Sequence, residues 1–444
     1  MTDLLQRYSS KPVPRYTSYP TAPYFHKEIG PKTYAIWLNQ IPKDSTLSLY
    51  LHVPYCARLC WFCGCSTTIT GKPERIQRYA ETLRSEIEIV TKALPTKMLV
   101  ASVHLGGGTP TMLSPKDFSD LLDQLRNRFA IAMDADIAIE IDPRTLNPEL
   151  IKILSKSGVT RASVGVQDFT PRVQQAINRI QSFETVREAV ENLRNAGITS
   201  INLDLMIGLP HQNTDNVVRT VELATKLKPD RVAVFPYAHV PWLKKHQRMI
   251  RRTDLPNIVL RREQAEAAAT VLSRYGYIPV GQDHFALPND PLALAARTHG
   301  LRRNFQGYTV DNADAIIGFG PSAIGTLPQG YVQNSPELHV WRSKIHHNTL
   351  PTERGVSLTT EDRCRRLAIE SLMCHYFVDL ENVGLNKDTA VVNVTAFNTM
   401  IGDDLVKVEG NRLIVTDLGR PFVRNISSCL DKYLSNIFLH SRTG

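Results

Sequence analysis

The chain has no apolar run approaching the ~20 residues needed to cross a bilayer. Its opening stretch, Met1-Thr2-Asp3-Leu4-Leu5-Gln6-Arg7, lacks the hydrophobic centre of a signal peptide. No membrane span and a cytoplasmic location are therefore expected. Cysteine is scarce, with 7 in 444 residues, yet four of them crowd into positions 56–65. That distribution excludes a disulfide framework and points to metal binding or redox chemistry in a reducing compartment. Low-complexity tracts, heptads and repeats are also missing, apart from a recurring strand–helix unit, and a monomer is expected. Hydrophobic content of 42% and charged content of 21% exclude disorder over most of the length. A chain this long calls for two or three domains.

The formal net charge is +9, but the bases are not gathered into the single stripe of a nucleic-acid binder. One dense stretch stands out, Lys244-Lys245-His246-Gln247-Arg248, running on to Arg251-Arg252. A solvated face is the commoner use of such a run. The alternative is attraction of a polyanionic small molecule or an acidic partner. Composition does not choose between them.

Three zones separate along the chain. Residues 1–45 hold the lead-in Pro14-Arg15-Tyr16-Thr17-Ser18-Tyr19-Pro20-Thr21, read as extended chain and turns, then a short helix over 31–38. From residue 46 to 350, β-rich runs at 47–53, 99–105, 137–141, 161–166, 201–206 and 231–235 alternate with amphipathic segments. In one of these, Phe183, Val186, Ala189, Val190 and Leu193 share a helical face. Six βα units predict a parallel sheet with helices outside it, and the apolar runs predict strands buried on both faces. Periodicity leaves an incomplete barrel and a doubly wound sheet both open. Residues 351–444 predict a helix over 359–376 with Leu367, Ile369, Leu372 and Met373 as apolar positions, a hairpin turning at Gly410, and a helix over 418–434. Together they suggest a small, mainly helical winged-helix-like module.

Sites in parallel α/β folds form at the C-terminal ends of the strands. The loop after the first strand reads Pro54-Tyr55-Cys56-Ala57-Arg58-Leu59-Cys60-Trp61-Phe62-Cys63-Gly64-Cys65. Thiolates at this spacing suit zinc or an iron–sulfur cluster. A closed zinc knot would use Cys65 as well, but such knots usually come as two separated pairs, and no second pair exists. Cys364, Cys374 and Cys429 lie far off in helical patterns and read as packing residues. Three cysteines on a four-iron cube leave one iron open, a mark of catalysis. After the second strand, Gly106-Gly107-Gly108-Thr109-Pro110 lets a backbone approach a ligand. Glu140 sits in the apolar third strand, where a carboxylate needs a partner. Gln167 and Asp168 follow the fourth strand, Arg179 comes shortly after, and Asp204 lies in the fifth.

The Cys56, Cys60, Phe62, Cys63 spacing resembles the signature of the radical S-adenosylmethionine enzymes. The lead-in, Tyr50-Leu51-His52-Val53-Pro54, Cys63-Gly64-Cys65, Asn304-Phe305-Gln306-Gly307-Tyr308-Thr309 and the stretches 318–325 and 416–425 narrow this. Together they resemble the oxygen-independent coproporphyrinogen III oxidases over nearly the whole chain. Some relatives carry a second threonine where this chain has Val310.

The resemblance implies a partial (β/α)6 barrel of the radical SAM type with a lid-like C-terminal domain. It implies one 4Fe–4S cluster on Cys56, Cys60 and Cys63, and two S-adenosylmethionine molecules. By the same resemblance, Tyr50, Gly107 and Glu140 match contacts to the first molecule. Phe62, Gly108, Thr109, Gln167, Arg179, Asp204, Ala238 and Ile324 match contacts to the second or to both. Cys65 matches a cysteine that is not a ligand, and His52, Phe305 and Gln306 match positions the family needs. The implied reaction converts two propionates of coproporphyrinogen III to vinyl groups in haem synthesis, with an electron donor and acceptor the sequence does not identify. The substrate's four carboxylates would give the +9 charge a use, without picking out any one base. Other readings are a haem-modifying radical relative, a haem chaperone, and nucleic-acid binding by the tail.

Overall fold

The computed structural model describes residues 2–9 and 13–434. All six expected strands form: β1 (Thr46–Val53), β2 (Leu99–Gly107), β3 (Ala130–Ile141), β4 (Arg161–Gln167), β5 (Ser200–Ile207) and β6 (Arg231–Pro236). They pair in parallel and in chain order. Sequential order without a reversal is the winding of a barrel wall and not of a doubly wound sheet. The crossover helices pack on one another in a single outer layer. Their starts are fixed locally, as where Ser114, Asn147 and Ser182 accept the backbone N–H of Asp117, Leu150 and Thr185.

The sheet is wider than the six runs suggested. The later strands are β7 (Ile278–Val280), β8 (His284–Ala286), β9 (Ala315–Phe319), β10 (Ile324–Leu327), β11 (Gly330–Asn334) and β12 (Thr352–Ser357). The full order is β12-β11-β10-β9-β1-β2-β3-β4-β5-β6-β8-β7, twelve strands in one mixed sheet. β9 runs parallel to β1, and the outer strands are antiparallel. Most are short strands in hairpins without an apolar run; β9, Ala315-Ile316-Ile317-Gly318-Phe319, is an apolar run outside the six that were read.

One expectation is corrected. The strands are not apolar on both faces. Leu47, Leu49, Leu51 and Val53 of β1 pack with Val103, Leu105, Ile139, Val164 and Leu203 against the helices. The alternate residues, Ser48, Tyr50, His52, Ser102, His104, Glu140, Ser163, Asn202 and Asp204, form a polar concave face. They bond one another: Ser102 Oγ donates to Ser48 Oγ at 2.9 Å, Asn202 to Ser163 Oγ at 2.8 Å, and Ser163 Oγ to Asp204 at 2.7 Å. A period of two was present in the sequence, but with small polar residues inside apolar runs it read as continuous burial.

The lead-in carries a helix at Thr2–Ser9 that was not expected, and a helix at Pro31–Asn39 that was. In the C-terminal region, a capping box of Thr359 and Asp362 opens the helix Thr360–His375. Its Ile369, Leu372 and Met373 are buried, but Leu367 is exposed. The hairpin Val406–Glu409 and Arg412–Val415 turns at Gly410, whose φ is +59°. Phe377–Asp379 adds a third strand. The expected helix over 418–434 is only the turn Arg420–Phe422 and the helix Val423–Ser428. Ser428 Oγ there bonds the Asn425 carbonyl, competing with helix continuation. This region has its own core, shared with Leu5, Tyr8, Tyr16 and Tyr19 of the lead-in. Cys374 and Cys429 are buried, as a packing role requires, and Cys364 is half-buried. Among the described residues no helix is long and apolar enough to cross a membrane.

Candidate active site

At the C-terminal ends of the strands the concave face opens into a cavity of about 990 Å³. The loop after β1 forms one wall. It is fixed at many points: Thr68 N–H donates to Pro54 O at 2.6 Å, Thr70 N–H to Cys56 O at 3.1 Å, and Trp61 N–H to Ile177 O at 3.0 Å. The basic stretch, left undecided by composition, turns out to hold this loop. Lys244 Nζ donates to Cys65 O at 2.9 Å, His246 Nε2 to Cys63 O at 2.8 Å, and Gln247 Nε2 to Phe62 O at 3.0 Å. Nothing in a run of bases signals that its members cap a distant loop's carbonyls.

Cys56, Cys60, Cys63 and Cys65 all line the cavity, and three of their sulfurs accept hydrogen bonds. Thr109 Oγ1 lies 3.4 Å from Cys56 Sγ, Arg179 Nη1 3.5 Å from Cys60 Sγ, and the Cys65 amide 3.4 Å from Cys63 Sγ. The Cys65 thiol also points at Cys63. This holds Cys63 down to about 6 and pushes Cys65 well above the ordinary thiol range. Among the described residues, no three His, Cys, Asp or Glu side chains converge tightly enough for one metal ion.

Behind the cysteines lies a buried charge network that the sequence did not suggest. Asp142 receives Arg144 Nη2 at 2.6 Å and Arg179 Nη1 at 3.3 Å, and Arg144 also reaches Cys60 Sγ at 3.7 Å. Burial alone would raise the Asp142 carboxyl, but the Arg144 bond and the two guanidinium charges hold it below the usual carboxylate range. Glu140 is the partnered carboxylate its strand position required. Its Oε2 accepts Gly107 N–H at 3.0 Å and its Oε1 lies 3.3 Å from His104 Nε2. Burial is outweighed by His104, so its pKa is also lowered. His104 carries no motif signal and was missed.

Gly107, at φ +108°, has the His52 ring 2.5 Å from where a Cβ would stand, and at Gly108 a Cβ would lie 2.7 Å from Tyr55 O. These glycines are required by close approach. Gln167 ends β4 in the left-handed region at φ +68°, a strained placement at the cavity wall. Phe305 and Gln306 are the tip of the hairpin Arg302–Asn304 and Gly307–Thr309.

The cavity lining therefore brings together Cys56, Cys60, Cys63, Cys65, Phe62, Gly107, Gly108, Thr109, Glu140, Gln167, Arg179, Asp204, Ala238, Phe305 and Gln306. Four sequence-derived residues stand outside it. His52 Nε2 donates to Ser66 O at 2.9 Å, so its Nδ1 accepts from Tyr50 OH at 3.0 Å. Tyr50 in turn stacks on His104 with centroids 5.9 Å apart. Ile324 packs with Phe305 in a small cluster around Phe25 and Tyr331. Asp168 is fully buried against Gln212 at 2.7 Å and supports the loop without facing the cavity.

Residues 50–224 match the radical SAM superfamily model. The chain is 45% identical to the oxygen-independent coproporphyrinogen III oxidase of Bradyrhizobium diazoefficiens, with 99% of each chain covered. The chain belongs to the oxygen-independent coproporphyrinogen III oxidase family. A Pseudomonas aeruginosa member is 39% identical over 98% of this chain and 96% of its own. The solved coproporphyrinogen III oxidase of Escherichia coli, described as a radical SAM enzyme, superposes with a TM-score of 0.91 at 35% identity, covering 98% of this chain and 99% of that one. Membership extends over the lead-in and the tail, and it sets aside the chaperone and nucleic-acid readings. Radical SAM membership brings a 4Fe–4S cluster and S-adenosylmethionine.

Proposed function

We propose that this chain converts the two reactive propionates of coproporphyrinogen III to vinyl groups without oxygen, giving protoporphyrinogen IX and carbon dioxide in haem synthesis. The observation that carries the reading is the 45% identity to a named coproporphyrinogen III oxidase with 99% of each chain covered.

The residues fit the cofactors. Three hydrogen-bonded thiols face one wall of a cavity whose neighbouring backbone, at Gly107 and Gly108, tolerates no side chain. Cys56, Cys60 and Cys63 would hold the cluster. When bound, the cluster would supply the electron that makes S-adenosylmethionine a hydrogen-abstracting agent at a propionate β-carbon; loss of carbon dioxide then leaves one electron for an external acceptor. Arg179 and Arg144 offset the negative charge that gathers at Cys60, and Asp142 keeps both guanidiniums aimed there. Cys65, on the cavity wall beside Cys63 and not itself a ligand, would be available as a hydrogen donor. Glu140, fixed by Gly107 and His104, offers its remaining lone pairs to an amine or a ribose hydroxyl.

Two S-adenosylmethionine molecules are part of the proposal. Gly107, Glu140 and Tyr50 would serve the first. Phe62, Gly108, Thr109, Gln167, Arg179, Asp204, Ala238 and Ile324 would serve the second or both. Phe305 and Gln306, on the hairpin tip, and His52, behind Gly107, are the further residues on which turnover would depend.

The test is anaerobic purification and supply of S-adenosylmethionine, a reductant, an electron acceptor and coproporphyrinogen III, with products followed by chromatography. Monovinyl intermediate and protoporphyrinogen are expected. Their absence with an intact cluster refutes the reading. Cys56→Ser, Cys60→Ser and Cys63→Ser should each abolish the iron–sulfur absorbance, and Cys65→Ser should retain it.

A further inference from the structure

Four arginines from four separate segments meet on the cavity wall. Arg15 comes from the lead-in, Arg261 from the helix Ile258–Arg274, Arg303 from the hairpin strand Arg302–Asn304, and Arg424 from the helix Val423–Ser428. None bonds a cysteine, unlike Arg144 and Arg179. Arg424 Nε donates to Pro14 O at 2.9 Å and Arg303 Nη2 to Arg15 O at 3.4 Å, so the group is knit through backbone. Arg303 lies over the Tyr308 ring at 4.4 Å, and its buried Nε and Nη1 have no partner. Arg261 Nη2 donates to Tyr237 O at 2.9 Å, and its Nε is buried without one.

Counter-charge is almost absent. The carboxylate felt by Arg15, Arg303 and Arg424 is Asp283, and Asp283 is already bonded to His284 at 2.7 Å. No carboxylate acts on Arg261. Burial, and then the neighbouring guanidinium charges, lower the pKa of Arg261 to about 10 and that of Arg424 to about 9. Arg261 and Arg303 keep buried N–H groups without a partner, and an anion relieves the cost of leaving them open. Arg144 and Arg179 show the contrast, since Asp142 neutralises them inside the chain.

We propose that Arg15, Arg261, Arg303 and Arg424 form the anchor for the carboxylates of the tetrapyrrole substrate, an assignment that rests on coproporphyrinogen III being that substrate. Guanidinium forks suit carboxylates in two-bond geometry. The neighbouring wall is apolar, with Phe235, Phe305 and Phe422 among its residues, as a macrocycle carrying acidic side chains requires. The anchor exists only when the lead-in and tail are docked, because they contribute Arg15 and Arg424.

The test is fluorescence titration of the anaerobic holoenzyme with coproporphyrin III, the stable oxidised form with the same four carboxylates, and with its tetramethyl ester. Wild type should bind the acid at least tenfold more tightly than the ester. Arg303→Gln and Arg261→Gln should each weaken acid binding by about ten- to a hundredfold, leave ester binding unchanged, and recover partly as Lys. Each variant must keep wild-type circular dichroism and iron–sulfur absorbance. Arg15→Gln, on extended chain, replaces any that does not. Equal binding of acid and ester, or variants that bind the acid as wild type does, overturns the anchor. If wild type turns over coproporphyrinogen III while the variants keep its KM, only the arginine assignment fails. If wild type neither binds the acid nor turns over coproporphyrinogen III, the functional reading fails and the anchor with it.

Discussion

Glu86 offers a sharp test of the physical reasoning. It lies in the helix Pro73–Ala93 and is fully buried. Its carboxyl accepts Gly320 N–H at 2.8 Å, Asn334 Nδ2 at 2.7 Å and Trp341 Nε1 at 3.0 Å. It has no cation. Burial therefore outweighs the three donors and raises its pKa from 4.5 to about 8. The folded chain holds a proton there that the unfolded chain releases, so its stabilisation is complete below about pH 4.5 and lost as pH rises through about 8. At ~1.4 kcal/mol per pH unit, the loss between pH 5.5 and 8.5 is ~3 kcal/mol.

Glu86→Gln cannot ionise. Its carbonyl can take the bonds from Gly320 and Trp341, while its NH2 faces the Asn334 amide, which is held by Gly320 O at 3.0 Å; that mismatch is a cost the same at every pH. Urea unfolding of both apo proteins at pH 5.5, 7 and 8.5, followed by tryptophan fluorescence, measures the difference directly. Relative to the variant, wild type should lose ~3 kcal/mol across that range. Parallel stability curves would refute the reasoning, because they require a carboxylate ionised in the fold at every pH.

Other outcomes follow from the same geometry. Asp142→Asn should cost about 3 kcal/mol at pH 7 by leaving two buried guanidiniums unbalanced, read as a fall in thermal midpoint. Wild type should lose that advantage as pH falls through the lowered Asp142 value, below the ordinary carboxylate range. Gln247→Leu removes the bonds to Phe62 O and Ala238 O and the acceptor at 2.6 Å from Val240 N–H. It should speed chelator stripping of a reconstituted cluster several-fold, measured by loss of visible absorbance. Gly108→Ala drives a Cβ into backbone and should abolish reconstitution. Gly71→Ala, with nothing within 4 Å of its Cβ, should reconstitute as wild type does.

What could be read from the sequence was what lies in one stretch of chain. Six strands were visible because Leu, Val and Ile on their helix-facing side make apolar runs. The cysteine loop was visible because its cysteines are close in sequence. The polar concave face was hidden, since Ser48, Ser163 and Asn202 look incidental until neighbouring strands align them. Glu86 is one glutamate in an amphipathic helix, and only the packing of β9 and β11 buries it. Lys244, His246 and Gln247 bond carbonyls 179 to 185 residues away, and the four arginines come from four separate segments. Contacts of that separation leave no local pattern.

The lead-in and the tail are stitched to each other. Tyr16 OH donates to Asp431 at 3.0 Å, Tyr24 OH to Tyr433 O, Asn425 to Tyr8 O at 3.0 Å, and Arg424 to Pro14 O. During synthesis the first segment to emerge therefore has to wait for residues near 430 before it finds its partners. Until then a nascent chain carries a formed βα wall with its cysteine loop open to solvent and its rim unlaced. The residues that lace the rim of the site are therefore among the farthest apart in the sequence.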